Sequence, residues 1–155
     1  MASVTTPVVS VDALELKRRD WEQGIGADET NVSRQLGLTQ LGASYFEVKP
    51  GESAFPFHVH YQEDELIYLI AGAGTYRFGE RAFAVAAGNV LSAPAGRADM
   101  AHQLTNTGTE TLKYLCVSSL PEINIVELPE KGVIRLSSRT PGGPARVELP
   151  TKSTP

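Results

Sequence analysis

Residues 51–72 read GESAFPFHVHYQEDELIYLIAG and contain two of the three histidines in this chain of 155 residues. His58 and His60 lie two apart in a segment that we predict to be a strand. Both side chains then point to one face, about 6.6–6.8 Å apart along the backbone. Metal–nitrogen bonds are only about 2.0–2.1 Å long, so two imidazoles at this spacing can lean onto one ion. Glu65 begins the next apolar run, and a hairpin that folds it back beside the histidines would complete a two-histidine, one-carboxylate cluster. His102 lies in another predicted strand, so all three histidines are available to one site.

Short apolar segments separated by turn residues continue on both sides of this stretch. The pattern predicts strands at residues 44–48, 57–61, 65–71, 75–78, 82–86, 90–93, 101–106 and 112–118, and a further strand is compatible with residues 123–128. Turns are predicted at Pro50-Gly51, Gly79-Glu80-Arg81, Gly88-Asn89 and Pro94-Ala95-Gly96. Few helix-forming stretches interrupt this order. Strands at such close spacing predict an all-β fold, an antiparallel sandwich or barrel.

The two ends of the chain differ from this central region. We predict residues 1–40 to be an N-terminal arm and loop that packs on a barrel of residues 41–128. Within the arm, residues 11–22 fit either a strand or one helical turn, and Trp21 is expected to close one end of the core. Residues 24–41 are expected to be loop with one short strand. Residues 129–155 are predicted to be a Pro/Gly-rich tail, of which residues 140–155 can bury little surface.

Length and charge exclude several classes of protein. A chain of 155 residues suits one domain. The net charge is −4 and the charges are interspersed, so we expect neither a nucleic-acid partner nor a membrane surface. The single cysteine cannot form an internal disulfide, and no early apolar block resembles a signal peptide or a spanning helix. We therefore expect a cytoplasmic protein.

Residues 65–71 are apolar on both faces of their predicted strand. If Glu65 faces a metal, the inward face also carries Ile67, Leu69 and Ala71, and the opposite face carries Leu66, Tyr68 and Ile70. A strand that is apolar on both faces needs both of them covered. The N-terminal segment, a second subunit or an exchanged strand could provide this cover, and we favour a homodimer.

Two motifs in this region resemble those of the cupin superfamily. The first reads Gly51, His58-Val59-His60, Glu65 and Gly72, and the second reads Gly88, Pro94-Ala95-Gly96, His102 and Asn106. The resemblance covers roughly residues 43–118. It implies a small single-domain cupin, a double-stranded β-helix of jelly-roll-like form. It also implies that His58, His60, Glu65 and His102 are the metal ligands.

The sequence departs from the cupin pattern at three points. Six residues separate Gly51 from His58 where five are usual, and five separate Gly96 from His102 where two are usual. The longer second loop, residues 97–101, is expected to shape the mouth of the pocket. Asn89 replaces the aspartate that commonly follows the glycine, and it can serve the same turn.

Other polar residues near the motifs have competing interpretations. Glu63 and Asp64 could replace Glu65 as the ligand, but strand parity and the six residues to Gly72 favour Glu65, and the other two are expected in a solvated turn. Asn106 is expected to serve a turn or to support a ligand. Arg77, Arg97 and Cys116 are not predicted to be metal ligands. The arginines could meet an anionic substrate, although surface salt bridges are favoured, and the cysteine is expected to pack.

The implied ligand set favours one divalent ion per chain, which could be Zn, Ni, Mn, Fe or Cu. Three neutral imidazoles and one carboxylate leave such an ion a net charge of about +1 and, if six-coordinate, two open positions. We expect an enzyme that oxygenates, isomerises or decarboxylates a small oxygenated compound such as a sugar, keto acid or hydroxy acid. No catalytic residue beyond the ligands is assigned. The alternatives are a non-catalytic binding protein for a sugar or organic acid and a structural barrel without metal.

Overall fold

The strands follow one another closely along the whole described chain. A computed structural model describes residues 7–139 and 146–151. Within them lie thirteen strands: β1 Lys17–Glu22, β2 Ile25–Asn31, β3 Leu41–Val48, β4 Val59–His60, β5 Glu65–Ala71, β6 Ala73–Phe78, β7 Arg81–Ala86, β8 Val90–Ala93, β9 His102–Thr105, β10 Leu112–Ser119, β11 Ile123–Leu128, β12 Val133–Ser138 and β13 Val147–Pro150. One short helix, α1 Val32–Gln35, and two 3-10 turns, Val11–Ala13 and Ala98–Met100, complete the elements of this part of the chain.

These strands form three antiparallel sheets. The largest has the order β1-β2-β3-β10-β5-β8, a second has the order β13-β12-β11-β4, and the third has the order β7-β6-β9. An isolated bridge between His58 and His102 joins the segment before β4 to β9, so the two smaller sheets meet at the histidines. The predicted all-β fold is confirmed, and the arrangement is a double-stranded β-helix.

The main core lies where the three-stranded sheet packs on the six-stranded sheet. Ile67 and Leu69 of β5 are buried in it, as predicted for the face that Glu65 shares. Phe46 of β3 stacks on Tyr114 of β10, with ring centroids 5.0 Å apart. Alternation along the strands directs these side chains to one face, because successive residues of a strand point to opposite sides. This core holds the two sheets that carry Glu65 and His102 against each other.

The N-terminal segment contains more regular structure than the sequence indicated. Residues 11–22 form a 3-10 turn and then strand β1. Residues 24–41, predicted as loop with one short strand, contain the seven-residue strand β2 and also helix α1. Asn31 caps the helix, because its Oδ1 accepts a hydrogen bond from the backbone amide of Arg34 at 2.7 Å. The sequence predicted a short strand in this segment but not its bounds, because β2 reads IGADETN, with few apolar residues, and is stabilised by pairing between β1 and β3.

The C-terminal segment also adds strands beyond residue 128. Strands β12 and β13 extend the sheet of β11, and β13 is exposed along its length. Residues 140–145 and 152–155 of the predicted tail lie outside the described residues. No helix within residues 7–139 and 146–151 has the length and hydrophobicity needed to cross a membrane.

The predicted hairpin at residues 79–81 is confirmed. Strands β6 and β7 pair from Phe78 opposite Arg81 onwards, so Gly79 and Glu80 form a two-residue turn. Gly79 has a φ of 56°, the left-handed conformation that glycine adopts without steric cost. The turn residues therefore located the hairpin correctly, although Arg81, predicted in the turn, is the first residue of β7.

Candidate metal centre

Backbone pairing between two distant segments brings His58 and His102 together. The amide of His58 donates to the carbonyl of His102 at 3.1 Å, and the amide of His102 donates to the carbonyl of His58 at 2.8 Å. Their ring centroids are consequently only 4.5 Å apart. His60 follows on the same face of the chain, with its ring centroid 5.1 Å from that of His58. All three rings are buried.

Glu65, the first residue of β5, faces these three rings. Its Oε2 atom lies 3.2 Å from Nε2 of His102, 3.6 Å from Nε2 of His60 and 4.0 Å from Nε2 of His58. Bonds of about 2.1 Å place two ligand atoms about 3 Å apart at right angles and about 4.2 Å apart when opposite, and the three distances fall in this interval. The structure therefore brings the four side chains named from the sequence into one cluster.

Three members of the cluster form a group that could hold an ion. His58, His60 and Glu65 each offer one ligand atom, and these atoms lie within 4.8 Å of one another. His102 adjoins the group through its short contact with Glu65. Two histidines and a carboxylate are donors that suit a first-row divalent metal.

Hydrogen bonds at the outer ring nitrogens fix how two of the histidines face Glu65. Nδ1 of His58 donates to the carbonyl of Pro56 at 2.8 Å, and Nδ1 of His60 donates to Oδ1 of Asn124 at 3.0 Å. With the proton on Nδ1, each neutral ring turns the lone pair of Nε2 towards the carboxylate. This arrangement of outer acceptors is the one that orients histidines in metal sites.

The pKa values of His58 and Glu65 are both shifted downwards, so at pH 7 the His58 ring is neutral and the Glu65 carboxylate is ionised. Burial, with His102 nearby, lowers the pKa of His58 to about 3, so the ring is neutral at pH 7. Burial alone would raise the pKa of Glu65, but the hydrogen bond from His102 and the neighbouring His60 and His58 outweigh it and lower the pKa to about 2. Two lone pairs and an ionised carboxylate thus face one another, and a cation between them would satisfy all three. The residues present fit a divalent metal.

His102 is oriented differently from the other two histidines. Its Nε2 donates to Glu65, and its Nδ1 is buried with no hydrogen-bond partner among the described residues. If Nε2 bound a metal, the proton would have to move to Nδ1, since a coordinating nitrogen carries none. No residue of the described chain would then accept a hydrogen bond from Nδ1 of His102, whereas Pro56 and Asn124 accept one from His58 and His60.

The two acidic neighbours of Glu65 have different surroundings. Glu63 is buried, with Oε2 3.8 Å from Nδ1 of His60, so its prediction as part of a solvated turn is wrong. Burial raises the pKa of Glu63. It lies at the outer edge of the His60 ring, on the opposite side from Glu65. Asp64 is exposed, and its Oδ1 accepts a hydrogen bond from the amide of Ala95 at 2.7 Å, as suits a turn.

Cys116 contacts the candidate centre. Its thiol donates to Oε1 of Glu65 at 3.6 Å, and burial raises its pKa, so the sulfur stays protonated. The sequence predicted a packing role alone, because the residue lies in an apolar strand and no basic residue in the local sequence would lower the pKa of its thiol. Pairing of β10 with β5 places Cys116 opposite Ile67 and therefore near Glu65.

A cavity of about 400 Å³ opens onto the cluster. Its wall contains His58, His60, Glu65, Asn124, Trp21 and Phe55, together with residues of β11 and β12 and three arginines. The sequence predicted only that Trp21 closes the core, and the residue instead forms part of this wall. The loop at residues 97–101, expected at the mouth, forms a 3-10 turn whose Met100 packs on Phe57 and Val59, and it does not line the cavity.

The two arginines noted in the sequence lie away from this cavity. Arg77 forms an ion pair with Glu130, as predicted, and its guanidinium lies 3.7 Å from the ring centroid of Phe57. Arg97 lies over Tyr61, 4.4 Å from the ring centroid. Neither lines the cavity that contains the histidines.

Comparison with known proteins agrees with this geometry. Residues 44–118 match the cupin domain family. Residues 44–118 of this chain form a cupin domain. The match begins within β3 and ends within β10, so the four clustered side chains of this cupin all lie inside it. The sequence matches none of the curated proteins with which we compared it.

Solved structures similar to this cupin support the same fold. A suggested sugar phosphate isomerase from Acidithiobacillus ferrooxidans has a TM-score of 0.80 at 20% identity, with 92% of this chain and 91% of that chain covered. A cupin sugar phosphate isomerase from Silicibacter pomeroyi has a TM-score of 0.80 at 16% identity, with 96% of each chain covered. A predicted oxalate decarboxylase from Thermotoga maritima has a TM-score of 0.62 at 22% identity, with 74% and 99% covered.

Proposed function

We propose that this cupin is a divalent-metal-dependent enzyme that acts on a small oxygenated compound. The observation that carries the proposal is the set of lone pairs at Nε2 of His58 and His60 that face the ionised carboxylate of Glu65. Acceptors facing acceptors in a buried cluster are costly unless a cation lies between them. His102 is proposed as the fourth ligand, because its Nε2 is the nitrogen nearest to Glu65.

The chemistry at this site would be isomerisation, decarboxylation or oxygenation of a sugar, keto acid or hydroxy acid. Structural similarity to proteins described as sugar phosphate isomerases and a predicted oxalate decarboxylase supports the first two. When bound, a Zn, Ni, Mn, Fe or Cu ion would supply Lewis acidity at an oxygen of the substrate. The chain itself contributes the orientation of the imidazoles by Pro56 and Asn124, and a cavity whose wall includes the apolar side chains of Phe55, Val126 and Leu128.

A non-catalytic cupin that binds a sugar or organic acid is the second candidate. One observation favours it: among the described residues that line the cavity, His58, His60 and Glu65 are the side chains of the types that serve as general bases, and all of them are proposed ligands. A separate general base is therefore not present among these lining residues. Tight binding of a ligand that is recovered unchanged would support this alternative.

Elemental analysis of untagged protein tests the metal site. We expect near-stoichiometric divalent metal in the parent and loss of it in His58→Ala and His102→Ala. Asp64→Asn is the matched control, because Asp64 neighbours Glu65 but faces the backbone of Ala95, and it should retain the metal. Equal metal content in the parent and both histidine variants would overturn the ligand set.

Two further proposals concern the state of the protein in the cell. We propose a homodimer formed through the outer face of β5, where Leu66 is 46% and Tyr68 44% exposed. Ile70 on the same face is partly covered by the N-terminal segment, where Leu14 and Leu16 belong to the same cluster. The described part of the chain supplies only part of the cover that this strand needs.

We also propose a cytoplasmic location, from the composition.

A further inference from the structure

Three arginines surround one tryptophan at the rim of the cavity. Arg19 and Trp21 belong to β1, Arg135 belongs to β12, and Arg146 directly precedes β13. The guanidinium carbons lie 5.6 Å, 5.7 Å and 5.6 Å, respectively, from the centroid of the Trp21 ring, within the range of cation–π contact. All four side chains line the same cavity as His58, His60 and Glu65. Segments from both ends of the chain thus concentrate positive charge at one place.

The acidic partners of these arginines do not balance them. Arg19 pairs with Glu29 at 2.6 Å, whereas Arg135 and Arg146 share Glu148, at 2.6 Å and 3.1 Å. Among the described residues, three guanidinium groups therefore have two carboxylates, which leaves one positive charge in excess. Each guanidinium has five N–H donors, so most remain available to a ligand. Glu65 is the one acidic residue among those described in the cavity wall, and the proposed metal would neutralise it.

The number and origin of the arginines favour a tetrahedral anion over a planar one. One arginine suffices for bidentate recognition of a carboxylate, which has two oxygens in a plane. A phosphate monoester has three terminal oxygens and a charge of roughly −1.5 to −2 at pH 7, so donors from several directions can bind it together. Trp21 also lines the cavity, so its ring can contact the rest of the ligand.

We propose that Arg19, Arg135 and Arg146 form a phosphate subsite, so that the substrate of this cupin is a small phosphate ester. The phosphate binds at the arginine rim, and the oxygenated part of the molecule reaches towards His58 and Glu65 in the same cavity. The placement of that oxygenated part rests on the proposed function. The subsite itself does not, because none of its residues belongs to the metal cluster.

Trp21 provides a direct reporter, since it is the one tryptophan of the chain. Inorganic phosphate, titrated into the full-length protein at constant ionic strength with chloride, should change the fluorescence of Trp21 saturably. Arg135→Gln should weaken the apparent affinity at least tenfold. Arg77→Gln is the matched control, because Arg77 also pairs with a glutamate and lies over an aromatic ring, but outside the cavity. It should leave the affinity unchanged.

Three outcomes of these titrations would overturn the proposal. The first is a response to phosphate no larger than the response to chloride, and the second is an equal effect of Arg135→Gln and Arg77→Gln. The third is acetate binding as tightly as phosphate, which would indicate a carboxylate subsite. Arg135→Lys is a second variant in case Arg135→Gln does not fold. Lysine keeps the positive charge but lacks the planar set of N–H donors of arginine, so this variant should also weaken phosphate binding.

Repeating the titration with His58→Ala separates this inference from the proposed function. We expect His58→Ala to keep the affinity for phosphate. If it does so and elemental analysis finds no metal in the parent, the metal proposal fails and the subsite stands. Loss of phosphate binding in His58→Ala would place the anion at the histidine cluster and overturn the subsite.

Discussion

Asn124 shows how one side chain outside the histidine motifs bears on the candidate centre. Its Oδ1 accepts the hydrogen bond from Nδ1 of His60 at 3.0 Å, so it sets both the tautomer and the orientation of that ring. Its position on β11 is unrelated in sequence to the motif that contains His60. Pairing of β11 with β4, in which Val126 lies opposite His60, brings the two together.

Asn124→Ala should lower metal affinity about 10- to 100-fold, because loss of an orienting partner typically has an effect of that size. Asn124→Asp keeps an acceptor oxygen and should retain most of the affinity. Competition with a chromophoric chelator measures both variants. Equal affinities in the parent and Asn124→Ala would show that the hydrogen bond does not orient His60 towards a metal.

Asn106 has a structural role at the same scale. It is fully buried, its amide donates to the carbonyls of Val48 and Glu110 at 2.8 Å each, and its Oδ1 accepts from the amide of Gly108 at 3.0 Å. The turn role expected from the sequence is confirmed. The same residue ties the end of β3 to the loop before β10.

Asn106→Ala should lower the free energy of unfolding by about 2–4 kcal/mol, because the buried carbonyl of Val48 and the partly buried Glu110 carbonyl and Gly108 amide lose their partner. Urea denaturation measures the change. Thr107→Ala is the control, since the neighbouring side chain is exposed and its loss should change stability by only about 0.5 kcal/mol. A decrease no larger than that of the control would contradict this role.

At the scale of the elements, the junction between β5 and β6 depends on close approach to β10. Gly72 has a φ of 83°, and a Cβ atom there would lie 2.8 Å from the carbonyl oxygen of Thr111 and 2.9 Å from Cα of Leu112. Gly51 has the same φ of 83° but nothing within 4 Å of such an atom. The two motif glycines thus share a backbone conformation, and only Gly72 is also confined by packing.

Gly51→Ala should lower the free energy of unfolding by about 1–2 kcal/mol, the usual cost of a left-handed conformation for alanine. Gly72→Ala should lower it at least twice as much, because backbone atoms of the next strand must also move. Urea denaturation of the two variants side by side measures the difference. Equal effects would show that β10 can shift without cost.

At the scale of the whole molecule, the candidate centre connects residues from all three sheets. His58 and His102 meet through the bridge between two sheets, and Glu65 reaches them from the six-stranded sheet. An ion held by all of them would bind the folded state and not the unfolded chain. It would therefore stabilise the fold as well as supply chemistry.

Removal of metal by a chelator should lower the melting temperature. At a free metal concentration about one hundred times Kd, binding contributes about 2.7 kcal/mol, or roughly 5–10 °C for a chain of this length. Differential scanning calorimetry with and without added metal measures the shift. His58→Ala should show no shift, and a parent protein that also shows none would contradict a metal in the folded cupin.

The proposed homodimer should sediment as a dimer at micromolar concentration. Tyr68→Arg should yield a monomer, because it places a charge in the apolar interface. Leu38→Arg is the matched control, since Leu38 is also 44% exposed but lies in a loop, and it should remain a dimer. A parent protein that is monomeric at all concentrations would contradict the assembly.

The sequence alone determined most of the strands between residues 41 and 128, the hairpin turns and the four clustered side chains. Strand alternation and turn residues are local signals, and the two motifs add the order of the histidines and Glu65. The bounds of strand β2 could not be predicted in this way, because its side chains do not alternate between apolar and polar residues. The burial of Glu63 could not be predicted either, because it depends on what packs over a turn.

Only the tertiary structure decided which distant residues support the candidate centre. Asn124 lies 64 residues from His60, and Cys116 lies 51 residues from Glu65. The arginines around Trp21 come from β1, β12 and the residue before β13. The contacts of all these residues arise from the pairing and register of strands, which local periodicity does not specify, because the same alternation fits many partners. The sequence therefore indicated a metal cluster, and the assembled sheets placed three arginines around a tryptophan in the same cavity.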